Sequence, residues 1–534
     1  MSKFLKIFLL FYNFIFILFV VSNIFDPDFG WHLRFGKEWF ESGSFPYLET
    51  YTYTHFGQLW INHEWGGDLL YWLIYKNFGY YALTFITPLV ILSAFFVTQK
   101  IYGKYGLTAV LVTTFLIWAN QQIMTTRLTM LSLLFFALIW YSVKNIEEKK
   151  TYYFWPIFFW IWAFLHGSFT LGFIVIGIYF CGNLLNTFFL HYYPKFSLGK
   201  SWTKQTYLKV VLWGGLSALI ILLNPYGLNL YKEVLSYFSY DFYKGHITEW
   251  LNMATFPVYW RSALFVAPAS IAFFWNIKKK LFSWPELILF CCLFYIALKY
   301  KRQVIFLALF CQPFFTTFLQ KAEEDIDFAL KKIKKLYIAR TIRYAFFSFI
   351  FITFLLITTN YLFDIKIYKD VWPNIKYMNN YFPVDAITFL QKKINPTSHV
   401  RIFNNFNWGG YMNWTLPQAL LFLDGRGAGT WKTHGSTITS LETYYALMDQ
   451  QNGLQELEKQ KVQYVVLEDL TNFTLEIDFV NRWLFPMIDL KKNISTTPRQ
   501  LEKSLRQSQN WQIIYNDGKV NIWEFISTTP LETK

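Results

Sequence analysis

The sequence predicts an α-helical polytopic membrane protein that carries a C-terminal extracytoplasmic α/β domain. Three observations predict it. Of 534 residues, 54% are hydrophobic, 22% aromatic and only 16% charged, with 59 Phe, 36 Tyr and 23 Trp, a composition unlike that of a soluble enzyme. Long apolar runs fill the first two thirds and the last third is polar, so the mean hydropathy of +0.25 averages two unlike parts. Lysines and arginines, giving a net charge of +15, recur in alternate loops between the apolar runs, as they do where basic loops stay cytoplasmic. Disorder and coiled coil are excluded by the same numbers.

The first apolar run, Phe4 to Phe25, is too long for a signal h-region and lacks a small-residue cleavage site, so it reads as a retained span. Further spans are predicted at about Tyr80 to Val97, Leu107 to Ala119, Leu128 to Val143, Tyr152 to Leu165, Phe169 to Phe189, Leu208 to Leu223, Ala263 to Ile277, Leu281 to Leu298, Val304 to Leu319 and Arg343 to Leu362, eleven in all. Each is near the ~20 residues a bilayer requires or somewhat shorter. With a cytoplasmic N-terminus the inner loops hold Lys100 and Lys104, Lys144 to Lys150, Lys195 to Lys204, Lys278 to Lys280, and Lys331 to Arg340. The odd number of spans then puts everything after Leu362 outside. This divides the chain into a membrane domain, 1–362, with a first outer loop at 26–68, and an external domain, 363–534, in a protein expected at the inner (plasma) membrane.

In the external domain, helix is predicted at Val384 to Lys393 and over most of Ile438 to Lys461. Strands are predicted at Val400 to Phe403, Ala419 to Leu423, Tyr464 to Leu467 and Asn521 to Phe525. Sequons stand at Asn413, Asn472 and Asn493. Cys181, Cys291, Cys292 and Cys311 all lie in apolar segments without metal-type spacing, which supports neither a disulfide framework nor a zinc site.

On this topology the unusual polar residues gather at the outer face: Asp26, Asp28, His32 and Arg34 after the first span, His63 and Glu64 before the second, Arg127, His166, Asn224, Glu249, and Lys299, Lys301 and Arg302. Ionisable groups near membrane depth are costly and point to function. Asp26 with Pro27 is explained by helix capping alone. Capping does not explain Asp28, four residues before His32, a spacing that puts carboxylate and imidazole on one helical face. Tyr152 to Leu165 has 14 residues, about 21 Å of helix against a ~30 Å core, so His166 falls below the membrane surface in a break, His166-Gly167-Ser168. A tight hairpin whose histidine bonds a carbonyl is the plainer alternative. Lys299, Lys301 and Arg302 defy the basic-inside pattern. An anionic lipid phosphate explains them, and Arg127, through charge-assisted bonds; snorkelling side chains are the alternative. Asn224-Pro225-Tyr226-Gly227 reads as a stop signal. Glu249, with Asp26, Asp28 and Glu64, offers enough oxygen ligands for a hard divalent cation such as Mg2+ or Mn2+.

These residues carry a resemblance. Asp26-Pro27-Asp28-Phe29-Gly30-Trp31-His32-Leu33-Arg34, followed by Gly43, Pro46 and His63-Glu64-Trp65, resembles the opening of bacterial polytopic proteins related to GT-C glycosyltransferases, and more distantly the first outer loop of the oligosaccharyltransferase catalytic subunit. The likeness continues through Arg127, Leu165-His166-Gly167-Ser168, Asn224-Pro225-Tyr226-Gly227, Glu249-Trp250 and Arg302, and in the tail through Phe403-Asn404-Asn405, Trp408-Gly409-Gly410-Tyr411 and Leu423-Asp424-Gly425-Arg426. Many relatives carry Pro where this chain has Leu128, and Asn where it has Phe164 or Leu165.

The resemblance implies a GT-C fold and transfer of a sugar from a polyprenyl-phosphate donor to an extracytoplasmic glycan, lipid or protein acceptor. It implies a catalytic acid or base at Asp26, with Asp28 and His32 beside it. Arg127, His166, Arg302, Lys301 and Arg34 are then expected at the donor phosphate, and Glu64, Glu249 and His63 at a metal or the acceptor. Asp424 and Arg426 are left a structural or acceptor-contact role. The expected partners are the bilayer, the lipid-linked donor and the acceptor, with no nucleic acid. A lipid or polysaccharide transporter or polymerase would use the same spans and cations, and an inactive scaffold with an external binding domain would not need the first-loop acids. A transporter should show paired broken helices in two related halves, and one clear break is found.

Overall fold

The computed structural model describes residues 2–23, 26–103, 106–237, 239–251, 260–279, 282–332, 382–427, 430–432, 437–469 and 499–526. They fall into two compact units. One comprises Met1–Ile24, Tyr80–Gly227 and Thr248–Lys369; the other comprises Phe25–Gly79, Leu228–Ile247 and Asp370–Lys534. Contacts therefore group the first outer loop with the tail, a grouping that the chain order does not display.

The first unit is helical. Its helices run Ser2–Asn23, Tyr80–Ile101, Leu107–Ala119, Thr129–Lys144, Trp155–Leu165, Phe169–Tyr192, Lys204–Ile220, Trp260–Lys278, Trp284–Lys299 and Val304–Lys332. A helix thus lies over every predicted span except Arg343 to Leu362, which is outside the described residues. By length and composition, Tyr80–Ile101, Phe169–Tyr192 and Lys301–Asp325 can each cross a membrane; Leu107–Ala119, Thr129–Lys144 and Thr151–Leu165 are apolar but shorter. Proline opens two helices where its missing N–H costs nothing, Pro156 and Pro285, the second behind a Ser283/Glu286 capping box. Small residues let helices touch: a Cβ on Gly182 would stand 2.6 Å from the Pro285 backbone. Buried amides and hydroxyls tie neighbours together, with Gln312 Nε2 donating to Thr113 Oγ1 at 2.6 Å and Asn13 Nδ2 to Thr114 Oγ1 at 2.9 Å. Lys204–Ile220 leaves Leu208, Val211, Leu212, Leu216 and Leu219 exposed, a surface that suits hydrocarbon rather than water.

The second unit is built on a five-stranded sheet of β1 (Val400–Asn404), β2 (Ala419–Leu421), β3 (Tyr464–Glu468), β4 (Trp511–Asn516) and β5 (Val520–Phe525). The order is β2-β1-β3-β5-β4, parallel from β2 to β3 and antiparallel beyond. One face packs on Val384–Lys393 through Ala386, Ile387 and Leu390; the other packs on Ser440–Asp449, Gly453–Lys459 and Gln500–Gln507 through Leu441, Leu457 and Leu501. The first outer loop joins this sheet. Thr52 bridges Leu421 in parallel, Leu421 N donates to Tyr51 O at 2.9 Å and Tyr53 N to Leu421 O at 3.0 Å, so the loop covers the β2 edge.

The tail elements predicted from sequence are present. The long helical stretch at Ile438 to Lys461 is split at Gln450-Gln451-Asn452, and the strand at Ala419 ends at Leu421. Gly409–Thr415, Gln500–Gln507 and β4 have no counterpart among the predicted elements. The Asn413 sequon is buried, its amide donating to Asp424 Oδ2 at 2.6 Å, so the folded chain offers no acceptor there; Asn472 and Asn493 lie outside the described residues.

Candidate active site

In the second unit, Asp26-Pro27-Asp28 forms a turn in which Asp26 Oδ1 accepts from Asp28 N at 2.9 Å and Asp26 O accepts from Phe29 N at 3.2 Å. Helix Phe29–Ser42 follows. The sequence expected Asp26 at its cap; Asp28 occupies that position instead, without a side-chain cap bond. Gly36 brings this helix onto Trp65–Phe78, since a Cβ there would meet Asp68 O at 2.2 Å. One turn earlier, His32 thereby reaches Asp68.

His32 Nδ1 lies 2.5 Å from Asp68 Oδ1 and its Nε2 3.5 Å from Glu64 Oε2. Asn62 braces the arrangement by donating to Asp68 Oδ2 at 2.7 Å and accepting Glu64 N at 2.9 Å, and Glu64 O accepts Asp68 N at 2.9 Å. His63 Nε2 is 3.8 Å from the other Glu64 oxygen. Burial pulls the His32 pKa down, but Asp68, Glu64 and Asp26 outweigh it and raise it to about 9. Burial pushes Asp68 up, to about 6, against the pull of His32. An imidazolium faced by three carboxylates is the form at neutral pH. One imidazole and two carboxylates, from His32, Glu64 and Asp68, place ligand atoms within 4.8 Å of one another. The sequence reading missed Asp68 and Asn62. Helical spacing was the available signal, since Asp68 follows Glu64 by four residues in a segment that begins the second helix of the loop.

Arg34, expected at a phosphate, is committed elsewhere. Its Nε donates to Glu38 Oε1 at 2.8 Å, its Nη1 to Asn413 O and its Nη2 to Pro417 O, both at 3.2 Å, and it lies 3.9 Å over the Tyr51 ring. Each of its three nitrogens thus has a partner inside the unit, and it ties the loop helix to the tail.

Arg426 sits on the other pairing of that same ring, 4.2 Å from its centre and 4.4 Å from Trp60. It donates to Glu49 through Nη1 at 2.6 Å and Nη2 at 3.0 Å, and to Asp424 through Nη2 at 2.6 Å and Nε at 3.0 Å. All three side chains are buried, with the ionic groups 1% exposed. Burial would raise Asp424, yet Arg426 holds it low; the two carboxylates in turn raise Arg426 despite its burial. Asp424 and Arg426 thus stand in a buried network that ties the tail to Glu49 of the first loop.

The first unit carries the second half of the expected residues. Glu249 takes Arg127 Nη1 at 2.7 Å and Arg302 Nη1 at 3.1 Å, and Arg302 lies 5.0 Å over the Trp250 ring. Glu249 was expected at a metal or acceptor; here both its oxygens face guanidiniums. Its burial would raise its pKa, and Arg127, Arg302 and Lys301 lower it instead. Lys301 is 2% exposed. Three cations thus attend one carboxylate. His166 is buried in its helix break, where its Nδ1 accepts Ser168 N at 3.0 Å and lies 2.7 Å from Ser168 Oγ and 3.3 Å from Ser132 Oγ. The backbone bond makes Nδ1 an acceptor and leaves the proton on Nε2.

No family model matches the sequence, and no curated protein matches it. Solved structures do. The crystal structure of the Archaeoglobus fulgidus oligosaccharyltransferase in the apo form is similar at 13% identity with a TM-score of 0.48, over 88% of this chain and 70% of that one. The archaeal oligosaccharyltransferase AglB from Archaeoglobus fulgidus, in complex with an inhibitory peptide and a dolichol-phosphate, is similar at 12% identity with a TM-score of 0.50, over 99% of this chain and 75% of that one. At this identity the likeness is one of fold: the chain is distantly similar to an oligosaccharyltransferase.

Proposed function

We propose that this protein is a membrane glycosyltransferase that moves a sugar from a polyprenyl-phosphate carrier to an acceptor outside the cytoplasm. The observation that carries the proposal is the buried Asp26 turn beside the His32, Glu64 and Asp68 cluster, in a fold similar to one solved with dolichol-phosphate and a peptide. In the reaction the bond between the sugar's anomeric carbon and the phosphate oxygen breaks, and a bond from the acceptor oxygen or nitrogen forms. Arg127, Arg302 and Lys301 neutralise the departing phosphate. Their excess of two charges over Glu249 is what an anionic group needs. Asp26 orients the acceptor and takes its proton, while His32 holds the charge of the surrounding carboxylates in place. Arg34 leaves the phosphate set because its nitrogens are occupied, and His166 stays as a buried neutral donor through Nε2–H.

A divalent cation would compete with the His32 proton: once the imidazole is neutral, His32, Glu64 and Asp68 form a donor set that fits one. One nitrogen among the oxygens suits Mn2+ better than Mg2+, and such a cation would supply Lewis-acid polarisation there. Glu249, paired to two arginines, stands outside that set.

The test uses the full chain in proteoliposomes with undecaprenyl phosphate carrying radiolabelled glucose, mannose, arabinose or N-acetylglucosamine, and follows release of the sugar from the lipid in the presence of cell-envelope extract. Asp26→Asn should fold normally, because Asn accepts the same turn bond, and should lower release by ~100-fold or more. Equal release from wild type and Asp26→Asn would remove Asp26 from the chemistry.

A further inference from the structure

The tail's glycines meet the first loop at Pro27 and Asp28, next to Asp26. A Cβ on Gly425 would lie 1.9 Å from Asp28 Oδ1 and 2.8 Å from its Cγ. A Cβ on Gly410 would lie 2.1 Å from Pro27 O and 3.2 Å from Asp28 Cα, and a Cβ on Gly30 would lie 2.0 Å from Gly410 O. Backbone thus touches backbone on both sides of the turn, and at these positions any side chain would push the two segments apart. The seat itself is stiff. Gly425 stands between Asp424 and Arg426, whose buried charges are locked to each other and to Glu49, and Gly409 packs its Cα against Asp424, where a Cβ would be 2.7 Å from the Asp424 Cβ. Asp26, two residues from this contact, is 3% exposed, bonds back to Asp28 N, and acts on His32. The two acids therefore face different surroundings: Asp28 meets the tail, and Asp26 meets the imidazole cluster.

We infer that Asp28 is a docking group rather than a reacting one, and that Gly410 and Gly425 are positioning residues through which the C-terminal domain holds Asp26 in place. This assignment of roles rests on the proposed glycosyl transfer, whereas the docking geometry does not. In the folded chain the tail is then part of the catalytic apparatus, a scaffold for a loop that precedes it by almost four hundred positions. A displaced seat moves Asp26 relative to the acceptor, and a shift of about 1 Å in a reacting group costs roughly a hundredfold in rate.

The experiment crosslinks the seat. Adding one C–C bond of about 1.5 Å to the 2.8 Å from Gly425 Cβ to Asp28 Cγ keeps the two Cβ atoms within about 4.3 Å, inside the ~3.5–4.5 Å of a disulfide. The full-length chain carrying Asp28→Cys and Gly425→Cys, with the four native cysteines changed to serine, should oxidise to an internal disulfide and keep sugar release within tenfold of its reduced form. Failure to crosslink would overturn the geometry. A crosslinked protein that regains release only on reduction would mean that the loop must leave its seat. Release lost in both forms, with Asp28→Ala also down by the ~100-fold of a missing general base, would make Asp28 the reacting acid. A second pair of variants reads positioning directly. Gly425→Ala should lower kcat roughly ten- to a hundredfold with donor KM unchanged, and adding Asp28→Ala, which removes the clashing atoms, should recover most of it; no recovery would refute the contact. If wild type releases no sugar from any carrier while the disulfide forms, the proposed function fails and the docking stands.

Discussion

Arg426→Met tests whether the tail and first loop fold as one body. Removing the guanidinium leaves Glu49 and Asp424, each 1% exposed, without their cation. Four charged contacts of 2.6 to 3.0 Å vanish, together with stacking on Tyr51 and Trp60. Breaking a buried pair from one side costs about 3 to 5 kcal/mol because the remaining charge is stranded. Glu49 keeps three partial substitutes, the N–H groups of Tyr51 and Thr52 and the Thr52 hydroxyl, and Asp424 keeps Asn413. The lower half of that range, about 3 kcal/mol, is therefore expected. For a folded body of 150 to 250 residues this corresponds to a fall in Tm of roughly 6 to 12 °C. Intrinsic-fluorescence melting of the purified full-length chain suits the measurement, since Trp60 and Trp431 flank the site. Limited proteolysis should show the first loop becoming cleavable together with the tail. Glu49→Gln and Asp424→Asn added to Arg426→Met remove the stranded charges and should restore much of the loss. A melting point for Arg426→Met within 2 °C of wild type, or a loop that stays protected while the tail is digested, would refute the shared network.

Arg302→Ala and Arg127→Ala should each weaken binding of undecaprenyl phosphate in nanodiscs by roughly ten- to a hundredfold, the worth of one charge-assisted bond of about 1.5 to 3 kcal/mol; unchanged binding in both would return these residues to pairing with Glu249 alone. Mn2+ added after chelation should give a protein-bound electron paramagnetic resonance signal that Glu64→Gln and His32→Ala each abolish, and a signal surviving both would place the cation elsewhere. For topology, Thr388→Cys should react with an impermeant thiol reagent in intact cells and Lys195→Cys should not; the reverse pattern would invert the assignment of sides.

The legible part of this molecule is the part governed by local periodicity. Apolar runs of helical length gave helices with ends close to those expected, as at Phe169–Tyr192, and short, largely buried strands such as Val400–Asn404 and Tyr464–Glu468 appeared where β-branched residues cluster. β4 escaped because it is mostly exposed, with Gln512 and Ile513 facing out side by side, and Gly409–Thr415 escaped because it starts on two glycines that local propensity assigns to a turn. Among site residues, the type was readable and the partner was not. Asp26 and His32 stood out as ionisable groups at a span end, yet their ranking depends on Asp68, which the chain places 36 residues after His32. Arg34 looked like a phosphate ligand because an arginine among aromatics signals a cation seeking partners, and the partners it meets in the fold, Asn413 and Pro417, lie nearly four hundred residues downstream.

That long separation has its own consequence. The loop supplies an edge segment to the sheet at Thr52, a carboxylate to Arg426 at Glu49 and a turn to the glycine seat at Pro27 and Asp28. Each is a contact the tail needs as much as the loop does, since β2 without Tyr51 to Tyr53 has an open edge and Arg426 without Glu49 has one buried carboxylate instead of two. Neither piece is expected to hold its conformation alone. A chain cut short before β1 would keep every one of its first-loop acids and lose the tail contacts at Pro27, Asp28 and Glu49 that hold the loop around them.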